Sequence, residues 1–254
     1  MAGMYLADLT WRAVGSLNKD MPVVIPVAAV EQHGHHLPVY TDSLLLGEVV
    51  QRVEQQLGDR ALFAPLQWLG NSHHHTDYPG TVSASPRLYL DLLRDLAESI
   101  LVHGFTRVVF LNGHGGNDTP GKQAVFELRQ KYRERNDLLL LFSTYWDFSK
   151  PNEEISGLVQ NQMGHACEWE TSMILRVKPQ LVQGTVADLE TEEFGYGFGK
   201  AYRGWITRER TKTGHIGSPQ HATAEKGEQL FTCFSAGVER FLKQVEQWDG
   251  KSWQ

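Results

Sequence analysis

Cysteine is nearly missing from this chain: Cys167 and Cys233 are the two in 254 residues. Two thiols make no disulfide framework, and no Cys-x-x-Cys pair exists. Any metal is therefore held by nitrogen and oxygen, and a reducing cytoplasm is the expected compartment. No apolar run approaches the roughly 20 residues that span a bilayer, so no membrane contact is expected. The opening stretch MAGMYLADLTW lacks a basic region followed by an apolar core, so no secretory signal is expected. Positive charge is also scarce. Lys and Arg total 24 against 30 Asp and Glu, a net of −6, which argues against a broad nucleic-acid footprint. Internal repeats and low-complexity linkers are missing too, which favours one domain over residues 1–254. The apolar share of 41% is ordinary for a soluble globular protein, and the length is ample for a full core. No Gly-x-Ser-x-Gly elbow marks a serine hydrolase.

Histidine, by contrast, is concentrated. Eight of the eleven fall in four short clusters. The first is Glu31-Gln32-His33-Gly34-His35-His36, followed by Asp42. The others are His73-His74-His75, His114 within Asn112-Gly113-His114-Gly115-Gly116-Asn117, and His165 just ahead of Glu168 and Glu170. Neutral imidazole plus carboxylate is the ligand set of zinc, manganese or iron sites.

The surrounding pattern says where these clusters sit. Residues 22–29 (PVVIPVAA) form a continuous apolar run, as in a strand buried on both faces. Residues 42–57 read as a helix with Leu45, Val49, Val53 and Leu57 inward. Residues 61–66 read as a short strand. Ser85-Pro86 opens a helix lined by Leu88, Leu92, Leu96 and Leu101 and ended by Gly104. Residues 107–111 read as a strand, 120–135 as a helix, and 138–144 as a strand ending in Tyr145-Trp146-Asp147-Phe148. Beyond them, 168–177 and 218–248 read as helices, and 189–210 as a long loop or lid. Alternating strands and helices imply a mostly parallel sheet between helical layers, a three-layer α/β/α fold. Ligands in such sheets bind at the carboxyl ends of strands, and three of the four inferred strands run into, or nearly into, a candidate motif there.

Glu31 and His33 are two apart at a strand end, so both side chains can share one face. Asp42 has two readings: a helix N-cap, or a carboxylate bridging two metals about 4 Å apart. The loop around His114 lacks the spacing of a phosphate cradle and suits a ligand bordered by glycines. Three consecutive histidines cannot all face one point, so His73 and His74 read at least as well as exposed polar residues. Helix-dipole pairing is the plain reading of Glu168 and Glu170. His165 titrates near neutrality and suits acid/base work. Cys167 beside it is a conceivable nucleophile without an orienting pattern.

Five motifs resemble those of the creatininase family of metal-dependent amidohydrolases. They are Ala29-Val30-Glu31-Gln32-His33-Gly34-His35-His36-Leu37-Pro38 with Thr41-Asp42; His75 with Tyr78-Pro79-Gly80-Thr81; Leu111 to Asn117; His165-Ala166 with Glu170-Thr171-Ser172; and Ala222-Thr223-Ala224-Glu225-Lys226-Gly227. The resemblance implies a three-layer α/β/α subunit in a homohexamer, with one or two divalent ions, zinc or manganese and conceivably iron(II). It implies that Glu31, Asp42 and His114 hold one ion and that His33 and Asp42 hold the second. It implies His165 as the catalytic histidine, and Trp146, His36, His75, Gly115 and Gly116 on the substrate side. Gly116 stands where the creatinine-hydrolysing members carry a glutamate, so Glu170 is the nearest replacement as ligand and catalytic group. Gly115 replaces an aromatic residue and Asn161 a second tryptophan. These departures resemble the wider family, which includes formamide hydrolases of cofactor biosynthesis and a peptidase of mycofactocin maturation.

The expected activity is hydrolysis of a non-peptide C–N bond in a small amide or lactam by metal-activated water. A deformylase, a mycofactocin-type peptidase and a non-enzymatic metal carrier are the alternatives.

Overall fold

The computed structural model describes residues 4–195, 197–198 and 201–251. Its elements are α1 (Trp11–Ser16), β1 (Pro22–Val27), α2 (Thr41–Leu57), β2 (Leu62–Phe63), α3 (Pro86–Leu101), β3 (Arg107–Asn112), α4 (Asp118–Lys131), β4 (Leu139–Thr144), α5 (Pro151–Glu154), α6 (Glu168–Val177), α7 (Thr207–Arg210) and α8 (Ala224–Gln247), joined by short 3-10 turns. The four strands form one sheet in the order β2-β1-β3-β4, every pair parallel.

Alternation along the strands sends successive side chains to opposite layers. Val24, Val109 and Leu111 face a core shared with α2, α6 and α8. Ile25, Val27, Val108 and Phe110 face a second core under α3 and α4. Both faces of β1 and β3 are thus covered, which is why these strands read as unbroken apolar runs rather than alternating ones. The arrangement is the expected three-layer α/β/α fold. No helix among the described residues is long and apolar enough to cross a membrane.

Three local expectations needed correction. β2 spans two residues instead of 61–66, because the chain after Phe63 leaves the ladder and returns for a single bridge at Gln67. In α3 the buried positions are Tyr89, Leu93, Ala97 and Leu101, while Leu88 is 58% exposed. The four-residue repeat counted back from Leu101 lands on Ala97, not Leu96; Leu92 and Leu96 flank the core instead. The last helix starts at Ala224, not Ser218, and Thr223 caps it by accepting from the Lys226 N–H.

The topology places the site. The chain passes from β1 to β2 on one side, then crosses to β3 on the other side of β1. That reversal opens a crevice beyond the carboxyl ends of β1 and β3, the expected ligand position in a parallel sheet. Glu31 follows β1 and His114 follows β3.

Candidate metal centre at the carboxyl ends of β1 and β3

The segment after β1 turns back sharply. Gly34 sits at φ +64, where a side chain is strained, and an added Cβ would lie 3.0 Å from His36 Nδ1. This turn presents Glu31 and His33 to the same cavity while Gln32 points the other way. Its Nε2 donates to Gly214 O (2.8 Å), its Oε1 accepts from Gly34 N–H (2.9 Å), and His75 Nδ1 lies 2.8 Å from Nε2. Gln32 thereby ties the first and second histidine clusters to a distant loop, a role its sequence neighbourhood did not signal.

Asp42 is not the cap of α2. The helix begins at Thr41, with Tyr40 in the cap position, so Asp42 lies inside the first turn. Ser43 Oγ donates to Ala29 O (2.9 Å), pinning this helix start against the end of β1. Both Asp42 oxygens are then free to face imidazoles: Oδ1 is 3.1 Å from His33 Nε2 and Oδ2 is 3.1 Å from His114 Nδ1.

The loop holding His114 is braced by two asparagines. Asn112 Nδ2 donates to His114 O (2.7 Å), and Asn112 Oδ1 accepts from His114 N–H (3.1 Å). Asn117 Nδ2 donates to Ala28 O (3.0 Å), and its Oδ1 accepts from Asn71 N–H (2.9 Å). A Cβ at Gly116 would lie 2.2 Å from Asn71 O and 2.5 Å from His114 Nε2. No side chain fits there. Glu170 instead brings its Oε1 to 3.7 Å from His33 Nε2, from the first turn of α6.

Hydrogen bonds set the imidazole tautomers. His33 Nδ1 lies 3.1 Å from the Glu31 carbonyl and His114 Nε2 lies 3.0 Å from the Asn71 carbonyl. A carbonyl only accepts, so those nitrogens carry protons, and the opposite nitrogens are the ones that face Asp42. His165 Nε2 faces Gln32 O at 2.8 Å, leaving Nδ1 turned to Glu31 Oε1 at 3.6 Å. Two antiparallel bonds between His165 and Ile216 fix its backbone, and Ala166 after it holds φ 47, a conformation few non-glycine residues adopt. His75 Nε2 lies 3.2 Å from Glu31 Oε1 and braces that carboxylate.

Charges in this cluster are displaced from their ordinary values. Burial raises Glu31, against the pull of His114, to about 7. Burial would raise Asp42 too, but His33 and His114 outweigh it and hold it well below the carboxylate range. Burial would lower His33 and His114, yet Asp42 and Glu170 hold the first well above its normal value, and Glu31 and Asp42 lift the second to about 9. Burial and the His33 charge keep His165 well below its ordinary value.

The side chains that could hold a cation fall into three groups, each with ligand atoms within 4.8 Å of one another: His33–Asp42–Glu170, Glu31–His74–His114 and Glu31–His33–His165. The expected set Glu31–Asp42–His114 meets at the His114 ring. Glu31 and Asp42 face opposite nitrogens of the His114 ring, Nε2 at 3.3 Å and Nδ1 at 3.1 Å. His74, read from sequence as no better than an exposed polar residue, lines the cavity and stacks 5.9 Å from His114. His73 is exposed, its Nδ1 2.7 Å from Ser83 Oγ.

The cavity above these groups measures about 570 Å³. His75, Gly115, Gly116, Trp146 and His165 line it, along with Trp205 and Arg210 from the 189–210 segment. His36 does not reach it. That ring is buried behind the loop, with Nε2 2.9 Å from Thr171 Oγ1 and an edge against His215. Cys167 is fully buried, its thiol pushed up to about 12 by burial, which removes it as a nucleophile at neutral pH.

An α/β sheet carrying buried carboxylates and imidazoles at its switch point defines the class: a protein whose chemistry resides in a nitrogen–oxygen ligand cluster. Comparison with known proteins narrows it. Residues 7–242 match the family model described as creatininase, creatinine amidohydrolase. A mycofactocin precursor peptide peptidase of Mycolicibacterium smegmatis is 32% identical over 220 residues, 82% of this chain and 79% of that one. A creatinine amidohydrolase of Pseudomonas putida is 28% identical over 194 residues, 70% of this chain and 74% of that one. A solved structure described as "Creatininase Mn" superposes with a TM-score of 0.79 at 26% identity, covering 95% of this chain and 98% of that one. The chain belongs to the creatininase family of amidohydrolases.

Proposed function

We propose that this protein hydrolyses a C–N bond of a small polar amide or lactam, aided by divalent cations, zinc or manganese, at the cavity floor. One observation carries the reading. Glu31 Oε2, Asp42 Oδ2 and Glu170 Oε2 are buried without any hydrogen-bond partner. Three buried carboxylate oxygens left without such a partner are costly unless a cation completes them. The nitrogen–oxygen donor set suits zinc and manganese.

In this reading His33, Asp42 and Glu170 would hold one cation, and Glu31, His114 and His74 would hold a second. Such cations, when bound, polarise a carbonyl oxygen and make water a readier nucleophile near neutral pH. His165, held neutral at the cavity wall, accepts a proton and returns it to the leaving nitrogen. Trp146 packs against the substrate, and bare backbone at Gly115 and Gly116 lets the scissile group approach. His75 keeps Glu31 oriented.

A second reading, peptidase action, is supported by the 32% identical relative. Both are tested together by measuring metal in protein as isolated and screening amides, lactams and short peptides. The expected result is stoichiometric metal, with turnover abolished by a chelator and restored by zinc or manganese. Protein without stoichiometric metal, or turnover that survives chelation, overturns the proposal; the class of molecule consumed decides between the readings.

A further inference from the structure

Arg210 differs from the half-buried arginines of α2 and α3. Arg52 meets Glu48 and Glu228, and Arg94 meets Asp91 and Glu127. Arg210 ends α7 and lines the catalytic cavity, and among the described residues it has no carboxylate within ion-pairing distance. Its one hydrogen-bond acceptor there is the Phe194 carbonyl. The guanidinium lies over the Trp205 ring, 4.6 Å from the centroid. Stacking on a ring face leaves the in-plane N–H groups unused. A guanidinium carries five such donors, so most of this fork remains available to a planar, two-oxygen acceptor.

The rest of the cavity mouth does not neutralise it. Asp118, which also lines the cavity, is held by Lys122 at 2.7 Å. Glu193 and Glu209 border a neighbouring recess of about 420 Å³ that Arg210 also lines, but Glu209 is turned to the Ile206 N–H and neither pairs with Arg210.

Building on the hydrolase reading, we propose that the substrate is an amide that carries a carboxylate, which Arg210 binds at the cavity mouth while the scissile C–N bond lies over the carboxylate–imidazole floor. Trp205 fixes the guanidinium plane, and the 189–210 segment supplies the specificity element that the clustered motifs do not contain. Arg210 is thus a residue that touches substrate without taking part in bond cleavage.

The test uses the full chain loaded with manganese and matched pairs that differ only by a carboxylate in place of a methyl group. These are succinamate with butanamide, glutaramate with pentanamide, and N-formylglycinate with N-ethylformamide. Binding is measured by calorimetry and turnover separately, on wild type, Arg210→Gln and Arg210→Lys. Gln keeps a donor for the Phe194 carbonyl and removes the charge; Lys keeps the charge and loses the fork. Wild type is expected to bind at least one carboxylated member about 10-fold more tightly than its neutral partner, as a charge-assisted bond supplies. Arg210→Gln should erase that preference, and Arg210→Lys should retain part of it. A wild type with no carboxylate preference in any pair, or an Arg210→Gln variant that weakens both members equally, overturns the proposal. Turnover of neutral amides with no preference leaves the hydrolase reading standing and removes this one. An Arg210-dependent preference without turnover of any pair upholds this one and counts against hydrolysis.

Discussion

Glu168 and Glu170 sit two residues apart in the first turn of α6, both buried, in opposite surroundings. Glu168 is saturated. Its Oε2 accepts from Val159 N–H (2.9 Å) and Gln160 N–H (2.8 Å), and its Oε1 pairs with Lys226 Nζ at 2.6 Å. Glu170 meets an imidazole nitrogen at 3.7 Å and leaves Oε2 with no partner. The first carboxylate closes a junction between α6, α8 and the 159–160 loop. The second is left short of a positive charge at a cavity wall. Burial is common to both, so what separates structural from chemical carboxylates here is the supply of N–H donors.

Glu170→Gln should sharpen that contrast most. With Glu170 in the proposed ligand role, metal uptake and turnover should fall by a factor on the order of 100 or more, while the unfolding midpoint of metal-free protein stays nearly unchanged. Metal analysis, turnover and urea titration on one preparation check this. Equal destabilisation of the metal-free protein would erase the distinction.

Lys226→Met should do the reverse. It leaves Glu168 charged and buried without its cation, which costs about 3 kcal/mol of stability by the usual penalty for breaking such a pair. Metal content of the folded fraction should hold. Denaturation with metal analysis of the native fraction reads both, and a loss of metal from folded protein would show that the two glutamates are not separable.

The smallest effect concerns Thr171, one residue beyond Glu170, whose Oγ1 faces His36 Nε2. Burial, helped by His215, lowers His36 from 6.5 to about 4. The unfolded chain takes a proton below 6.5 and the folded chain does not until about 4, so stability is full above 6.5 and falls as pH drops through that window. The loss reaches up to about 3 kcal/mol. His36→Gln should flatten this slope in urea midpoints measured at pH 7 and 4.5; an unchanged slope would place the titration elsewhere.

Much of this was legible before any coordinates. β1, β3, β4 and α6 lie close to their expected bounds because apolar runs and helical periodicity are local signals. That Glu31 and His33 meet the same cavity was legible for the same reason, since side chains two apart in extended chain share a face. Other features were not. Asp42 read equally well as a cap, because one residue of helix start separates the two roles. His74 looked like a surface residue because nothing local reveals that Trp205 and His114 enclose it. His36 matched a substrate-side motif yet packs behind the loop, against Thr171 and His215. Gln32, Trp205 and Arg210 went unnoticed because their partners are far along the chain.

The amino-acid order alone determined the parallel α/β scaffold and the stock of nitrogen and oxygen ligands, since strand burial, helix caps and side-chain chemistry act over a few residues. Which ligands face one another was decided only by tertiary packing. The crossing from β2 to β3 brings Glu31 beside His114, and Asn71 closes the space at Gly116 while Glu170 approaches His33 from α6. Those distances arise from contacts between residues dozens to more than a hundred positions apart, which no local pattern encodes.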